Sequence, residues 1–230
     1  MGVLFRLFLF FALAGCSQGS SCIQSNVSSR DLIQHVSIFS PSVREKSREA
    51  AVEIVSFNSS GDQIFGSGAY IVHNRQHYIL TAAHVVAASP VAMITNKDET
   101  IIGDVIFLDL ESDVALVSIE GMFTRSPISW SVSKNNKIGK DVFYSGYPNS
   151  YILLTIQGKI AGYDGDMTVM HSYVWKGASG SVVLDSKKAI VGVVSAVDVG
   201  SDVIGVPTII EDVGLVAPVH TIDEFLNNNH

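Results

Sequence analysis

The chain has 230 residues, of which 47% are hydrophobic and 19 are glycine, and its formal net charge is −7. This apolar content is enough for a folded core and excludes disorder as the main state. The acidic balance argues against a surface that neutralises phosphates, so nucleic acid is not an expected partner. With only two cysteines, a miniature fold held together by disulfides is also excluded.

The amino-terminal segment has the features of a secretory signal. One basic residue, Arg6, precedes the unbroken apolar run Leu7–Ala14. A helix of this length rises only about 12 Å, whereas the apolar core of a membrane is roughly 30 Å thick, so the run is too short to span a bilayer. We therefore predict that residues 1–15 are a signal peptide.

The apolar run is followed by a possible lipidation site. Its end, Leu-Ala-Gly-Cys, resembles the lipobox of bacterial lipoproteins, in which the cysteine is lipidated and becomes the mature amino terminus. The resemblance implies lipidation of Cys16. Two alternatives stay open: an ordinary signal peptide with a nearby cysteine, and a disulfide loop between Cys16 and Cys22, which would exclude the lipid.

The next segment has the composition of a tether. Ser, Gln and Asn dominate residues 17–30, which can bury little apolar surface, and we assign residues 16–40 to a Ser/Asn-rich spacer. The expected location is the cell envelope, either lipid-anchored in a membrane or secreted. Ser17 after the cysteine resembles the outer-membrane sorting pattern, which favours an outer-membrane or periplasm-facing anchor.

Residues 41–230 are predicted to form one domain of short strands. After a polar stretch with helical character, Pro41–Ala50, apolar or alternating segments rich in β-branched and aromatic residues are separated by Gly, Asn and Asp turns. Thr221 and Glu224 fit a capping box at the start of a C-terminal helix. The pattern predicts an all-β barrel or sandwich. The predicted strands are Ala51–Phe57, Gly66–His73, Tyr78–Thr81, Val91–Thr95, Ile101–Leu108, Val114–Ile119, Val142–Tyr144, Tyr151–Ala161, Met167–Val174, Ser181–Leu184, Ala189–Val197 and Leu215–Pro218.

Three motifs in this domain carry residue types used in nucleophilic catalysis. His84 ends an apolar strand and is followed by small residues, which leave an imidazole room for a partner on each side. Asp113 stands at the mouth of a buried strand, where a carboxylate needs hydrogen bonds. Ser179 lies between Gly177 and Gly180, which permit a tight turn whose backbone N–H groups point one way and can stabilise an oxyanion.

Taken together and in this order, the motifs resemble those of the chymotrypsin-fold, trypsin-like serine proteases. The chain is most similar to their disulfide-free bacterial HtrA-like members, over about Ala51–Pro218. The resemblance implies two six-stranded Greek-key β-barrels with a short C-terminal helix. The matching segments are Thr81-Ala-Ala-His84, Asp113-Val-Ala-Leu116, Gly146-Tyr-Pro148, Gly177-Ala-Ser179-Gly180 and Gly214-Leu-Val-Ala-Pro218.

The resemblance also implies a role for each catalytic residue in peptide-bond hydrolysis through an acyl-enzyme intermediate. His84 would be the general base, Asp113 would orient its imidazole, and Ser179 would be the nucleophile. The backbone N–H groups of Gly177 and Ser179 would form the oxyanion hole. Ala178 stands where many members have an Asp that pairs with a new amino terminus, so activation by zymogen cleavage is not implied.

Substrate-binding residues follow from the same resemblance. Ser195, Ala196 and Val197 would form the strand that pairs with an extended substrate backbone, a mode that gives affinity with little sequence choice. Tyr173 would lie at the base of the specificity pocket. Because this position holds no Asp, cleavage after Lys or Arg is not implied, and we expect an apolar or small residue before the cut.

Other functional classes fit the pattern less well. The α/β-hydrolases also use a serine turn, but Ser181 stands where they have a glycine, and helices that alternate with strands are missing. A non-catalytic protease-like barrel with a binding or structural role in the envelope stays open. Because the sequence has no metal-ligand motif and no phosphate-cradling loop, we expect no metal and no cofactor. The expected partners are protein or peptide substrates and, through the lipid, a membrane.

Overall fold

The computed structural model describes residues 41–150, 152–201 and 207–228, and at 150, 196–201 and 207–211 it describes the backbone only. The predicted signal peptide and tether, with Cys16 and Cys22, lie outside the described residues. Within the described part of the chain, no helix is long and apolar enough to cross a membrane.

The described chain begins with a short helix, α1 (Val43–Ala50), as the polar stretch predicted. Its first turn is closed by a capping box, in which the hydroxyl of Ser42 accepts from the backbone N–H of Glu45 and the Glu45 carboxylate accepts from the N–H of Ser42. The buried hydroxyl of Ser47 then donates to that of Ser145 at 2.9 Å, which ties the helix to the second barrel described below.

Six strands form the first closed barrel. They pair antiparallel in the order β1-β4-β5-β6-β3-β2, and the β1–β2 pair, in register from Ala51 opposite Ala69 to Phe57 opposite Gln63, closes the barrel. A seventh, two-residue strand, β7 (Ile128–Ser129), adds to β2 in parallel. The barrel strands are β1 (Ala51–Phe57), β2 (Gln63–His73), β3 (Gln76–Thr81), β4 (Val91–Thr95), β5 (Thr100–Asp109) and β6 (Val114–Ile119).

The following six strands form the second closed barrel, in the order β10-β13-β12-β11-β8-β9. The prediction of two six-stranded antiparallel barrels with a short C-terminal helix is therefore confirmed, and the fold is chymotrypsin-like. The strands are β8 (Asp141–Gly146), β9 (Leu154–Asp164), β10 (Met167–His171), β11 (Val182–Asp185), β12 (Ile190–Ser201) and β13 (Pro207–Ala217).

Strand β11 shows how the two barrels share a core. Successive side chains of a strand point to opposite faces of the sheet. Val182 and Leu184 pack in the cluster that fills the first barrel, whereas Val183 packs inside the second barrel. All three are buried, so this strand is apolar on both faces and joins the two halves.

Two further helices complete the domain. Helix α2 (Ala83–Val86) is a single turn directly after β3. Helix α3 (His220–Asn228) buries Ile222 and Leu226, and its Asp223 accepts a hydrogen bond of 2.7 Å from the indole N–H of Trp130. Because α3 begins at His220, Thr221 lies inside its first turn, and the predicted capping box at Thr221 is wrong.

Some predicted strand ends are also wrong. A 3₁₀ turn, Pro148–Ser150, with Asn149 in the left-handed region at φ 52°, delays the start of β9 to Leu154 instead of residue 151. Strand β10 ends at His171 rather than at residue 174. Strand β13 begins eight residues before the predicted Leu215, because the β12–β13 hairpin continues to pair beyond the point where Glu211, Asp212 and Gly214 interrupt the apolar pattern. Local patterns do not show where a hairpin stops pairing.

Candidate active site

The first barrel presents His84 where β3 ends and α2 begins. Ala82 and Ala83 are fully buried, which lets the turn pack closely against the barrel, and the side chain of His84 is left 47% exposed. This placement gives the imidazole one side toward Asp113 and one side toward solvent. The small residues that the sequence showed around this histidine serve that arrangement.

Asp113 lies next to His84, at the entry to β6. Its backbone is in the left-handed region at φ 54°, which aims the carboxylate at α2. The ring Nδ1 of His84 lies 2.9 Å from each carboxylate oxygen, and the backbone N–H of His84 donates to Oδ1 at 3.0 Å. The carboxylate therefore holds both the ring and the main chain of the histidine, and it leaves Nε2 as the outward nitrogen.

The environment of Asp113 keeps its carboxyl group ionised. Burial alone would raise its pKa, but the hydrogen bonds from the His84 side chain, the Ser195 hydroxyl and the His84 backbone outweigh that effect and hold the pKa below its usual range. A carboxylate that stays charged can stabilise an imidazolium as it forms.

Ser195 connects the acid–base pair to the second barrel. Its hydroxyl donates to Oδ2 of Asp113, and its backbone carbonyl accepts a hydrogen bond of 3.1 Å from the hydroxyl of Ser179. The structure thus brings His84, Asp113, Ser179 and Ser195 into one connected group. Among the described residues, the Ser195 carbonyl is the hydrogen-bond partner of the Ser179 hydroxyl, and no hydrogen bond joins Ser179 to His84.

The turn that carries Ser179 needs its two glycines. Gly177 has φ 91° and Gly180 has φ 92°, values that residues with a side chain rarely adopt. A Cβ at residue 180 would also lie 1.9 Å from the carbonyl oxygen of Ser67, and a Cβ at residue 177 would lie 2.7 Å from the backbone nitrogen of Asn149. Both positions therefore require glycine for space as well as for conformation.

The four carbonyls of residues 176–179 each accept a hydrogen bond. Those of residues 176 and 178 accept from the backbone N–H groups of Asn149 and Ser181, at 2.7 and 3.0 Å. Those of Gly177 and Ser179 accept from the hydroxyl and the backbone N–H of Ser67, each at 2.8 Å.

The N–H groups of the turn are only partly used. Those of residues 178, 180 and 181 donate to carbonyls at 2.9, 2.7 and 3.0 Å. Within the described residues, the N–H groups of Gly177 and Ser179 have no protein acceptor, and the carbonyl of Lys176 is turned away toward Asn149. Because N–H and C=O point in opposite directions in a trans peptide, the N–H of Gly177 points the other way from that carbonyl. These two donors are free to bind an oxyanion.

The predicted substrate-binding residues lie beside this turn. Ala196 and Val197 belong to β12, where they pair with β13, and their side chains are outside the described part. The ring of Tyr173 is half-exposed and stacks on Trp175 with centroids 5.7 Å apart, while its carbonyl accepts from the hydroxyl of Tyr144. Burial raises the pKa of that Tyr144 hydroxyl. The role of Tyr173 in the specificity pocket stays a prediction.

Sequence reasoning missed Ser67 and Asn149. Neither belongs to a motif that contains a nucleophile, base or acid, and each acts through contacts with residues distant in sequence. A Gly-Ser-Gly run inside an apolar strand, Gly66 to Gly68, was the available signal for a close backbone approach. Among the described residues, no group of three or more His, Cys, Asp or Glu side chains could hold a metal ion.

The two-barrel fold, with a His–Asp pair linked through Ser195 to a glycine-flanked serine turn, defines the class of chymotrypsin-like peptidases. Residues 66–193, more than half of the chain, match the family described as the trypsin-like peptidase domain. The chain therefore belongs to the trypsin-like peptidases. A comparison with curated proteins gives no significant match.

Solved structures with the same fold include several bacterial proteases. The active form of the Rv3671c protease from M. tuberculosis is 21% identical with a TM-score of 0.63, and the match covers 80% of this chain and 82% of that one. The HtrA-type protease AlgW, solved with a tripeptide, is 18% identical with a TM-score of 0.66, and the match covers 81% of this chain and 62% of AlgW. A serine endoprotease from Yersinia pestis is 18% identical with a TM-score of 0.65, and the match covers 81% of this chain and 66% of the endoprotease. The match therefore spans less than two thirds of the length of AlgW and of the Yersinia endoprotease.

Proposed function

We propose that this peptidase is a serine endopeptidase of the cell envelope that cleaves proteins or peptides through an acyl-enzyme intermediate. The observation that carries the proposal is the pair of N–H donors at Gly177 and Ser179, which have no acceptor among the described residues and lie in the turn that Ser195 links to the His84–Asp113 pair. Unpaired donors beside a serine hydroxyl and an oriented imidazole are the parts that acyl transfer requires.

In the proposed reaction, the Ser179 hydroxyl turns from the Ser195 carbonyl toward Nε2 of His84 and attacks the substrate carbonyl carbon. His84 takes the hydroxyl proton, and the resulting oxyanion accepts hydrogen bonds from Gly177 and Ser179. When the tetrahedral intermediate collapses, the C–N bond breaks and His84 gives its proton to the leaving amine. A water molecule, activated in the same way, then hydrolyses the acyl-enzyme.

The proposed substrate lies extended along β12, with its backbone paired to residues Ser195–Val197. Because Tyr173 supplies no carboxylate at the predicted base of the pocket, we expect an apolar or small residue before the cut rather than a basic one. The same strand also supplies the Ser195 carbonyl, which accepts the hydrogen bond from the Ser179 hydroxyl. Substrate binding and release of the nucleophile would therefore occur on the same strand.

We propose further that Cys16 carries a lipid after removal of residues 1–15, and that residues 16–40 hold the domain away from the membrane surface. The support is the short apolar run that ends at this cysteine. Cys16→Ala is expected to move the protein from the membrane fraction to the soluble fraction of the producing cell. Unchanged partitioning would reject the lipid anchor.

A non-catalytic barrel is the second candidate, and the hydrogen bond of Ser179 to the Ser195 carbonyl rather than to His84 favours it. Labelling of the purified protein with a fluorophosphonate probe, with Ser179→Ala as the control, decides between the two. Labelling that vanishes in the variant supports an activated serine. A folded wild-type protein that takes up no label would contradict the endopeptidase proposal.

A further inference from the structure

Ser67 belongs to the first barrel, but its backbone N–H and its hydroxyl form hydrogen bonds with residues of the second barrel. It lies in β2 between Gly66 and Gly68, and its side chain is fully buried. Its backbone N–H donates to the carbonyl of Ser179 at 2.8 Å. Its hydroxyl donates to the carbonyl of Gly177 at 2.8 Å, and it accepts from the backbone N–H of Tyr147 at 2.9 Å.

The hydroxyl of Ser67 thus joins two loops of the second barrel that meet at the proposed oxyanion hole. One loop carries Gly177, and the other, residues 147–149, holds the carbonyl of Lys176 through Asn149. Because both loops are fixed to the same hydroxyl, the peptide units before and after Gly177 are oriented together. Gly177, at φ 91°, has the conformational freedom to rotate when that fixation is lost.

The residues around Ser67 allow its hydroxyl to approach the backbone of the second barrel closely. A Cβ on Gly146 would lie 2.1 Å from the hydroxyl oxygen of Ser181 and 2.8 Å from that of Ser67, so glycine at this position lets the chain approach both serines closely. The carbonyl of Ser67 in turn accepts a hydrogen bond of 2.8 Å from the hydroxyl of Thr81, which is three residues before His84. Strand β2, which bonds to the Ser179 turn, is therefore also bonded through this hydroxyl to β3, the strand that precedes His84.

We infer that the Ser67 side chain is a positioning residue that keeps the Gly177 N–H aimed at the reacting carbonyl. The inference rests on the proposed function, since it concerns the oxyanion hole of that reaction. Ser67 touches no reacting atom and carries no titratable group. Its loss should lower the rate of acylation, leave KM nearly unchanged, and leave the shape of the pH–rate profile unaltered.

The test compares Ser67→Ala with Ser47→Ala, which removes another buried serine hydroxyl whose hydrogen bond goes to Ser145 of the second barrel and not to the turn or to residues 147–149. Both variants should lose similar thermal stability. Loss of a whole oxyanion donor costs about 10²–10³ in rate, so a misaimed donor in Ser67→Ala should lower kcat and fluorophosphonate labelling by about tenfold or more. Ser47→Ala should label at the wild-type rate. Equal labelling of the two variants would overturn the inference.

Two further measurements keep the outcome decisive. If Ser67→Ala fails to fold, Ser67→Cys keeps a weak donor of similar size and should label at an intermediate rate. Labelling of Ser67→Cys at the wild-type rate would reject the positioning role.

If the wild type itself takes up no label, the endopeptidase proposal fails, and amide hydrogen exchange at Tyr147 tests Ser67 separately. Exchange there should accelerate in Ser67→Ala but not in Ser47→Ala, and equal exchange would overturn the inference.

Discussion

The first barrel supplies the site with two titratable side chains, whereas the second supplies it with a turn of backbone. His84 and Asp113 are held by a short charge-assisted network at the mouth of the first barrel. The Ser179 turn is held mainly by hydrogen bonds between peptide groups, together with the hydroxyl of Ser67, and it depends on two glycines. We therefore expect substitution of either side chain of the first barrel to abolish activity with little loss of stability. A change that disturbs the backbone of the Ser179 turn should lower both activity and stability.

The largest expected effect is the loss of the base. His84→Ala removes the proposed proton acceptor, so kcat/KM should fall by about 10⁴-fold or more, while the melting temperature changes little because the side chain is half-exposed. Peptidase assays and thermal melts measure both. His77→Ala, at the other end of β3, is the matched control and should keep its activity. Comparable activity in the two variants would contradict the role of His84.

Asp113→Asn should have the next largest effect. The amide cannot hold the same imidazole tautomer or stabilise the imidazolium, and in the Ser-His-Asp template this change costs about 10⁴ in rate. Steady-state kinetics measure the loss. Asp141→Asn removes an exposed carboxylate of the second barrel that pairs with Lys159 at 2.5 Å, and it should leave kcat unchanged. An active Asp113→Asn variant would remove this residue from the mechanism.

The backbone half of the comparison is tested at Gly180. Gly180→Ala combines a positive φ with contacts of 1.9 Å to Ser67 and 2.4 Å to Thr81, so unfolding free energy should fall by about 3 kcal/mol or more and activity should be lost. Gly61→Ala has a similar φ of 85° but open space around it, and it should lose only about 1–2 kcal/mol. Denaturant unfolding measures both, and equal losses would show that the crowding at Gly180 is unimportant.

The smallest expected effect is on stability in acid. Because the pKa of Asp113 is lower in the folded protein than in the unfolded chain, its contribution to stability is complete above about pH 3.9 and is lost as pH falls through the folded pKa. The drop in melting temperature from neutral pH to about pH 3 should therefore be smaller in Asp113→Asn than in the wild type. An unchanged drop would contradict the low pKa.

Sequence reasoning recovered the side-chain half of the site better than the backbone half. His84 and Asp113 stand in motifs whose neighbours already indicate their chemistry, and the structure brings them together. The bonds of Ser67 to Gly177 and of Asn149 to Lys176 depend on how two distant segments meet, which no local pattern encodes. Strand identity followed from apolar alternation, while strand ends such as that of β13 depend on pairing and were misplaced.

The hydrogen bonds from Ser67 to the serine turn also bear on when the protein becomes active. Neither barrel alone contains both the turn and Ser67, so the hydrogen bonds between them form only when the two barrels pack together. Under the proposed function, activity should therefore appear only after both barrels have folded and packed against each other.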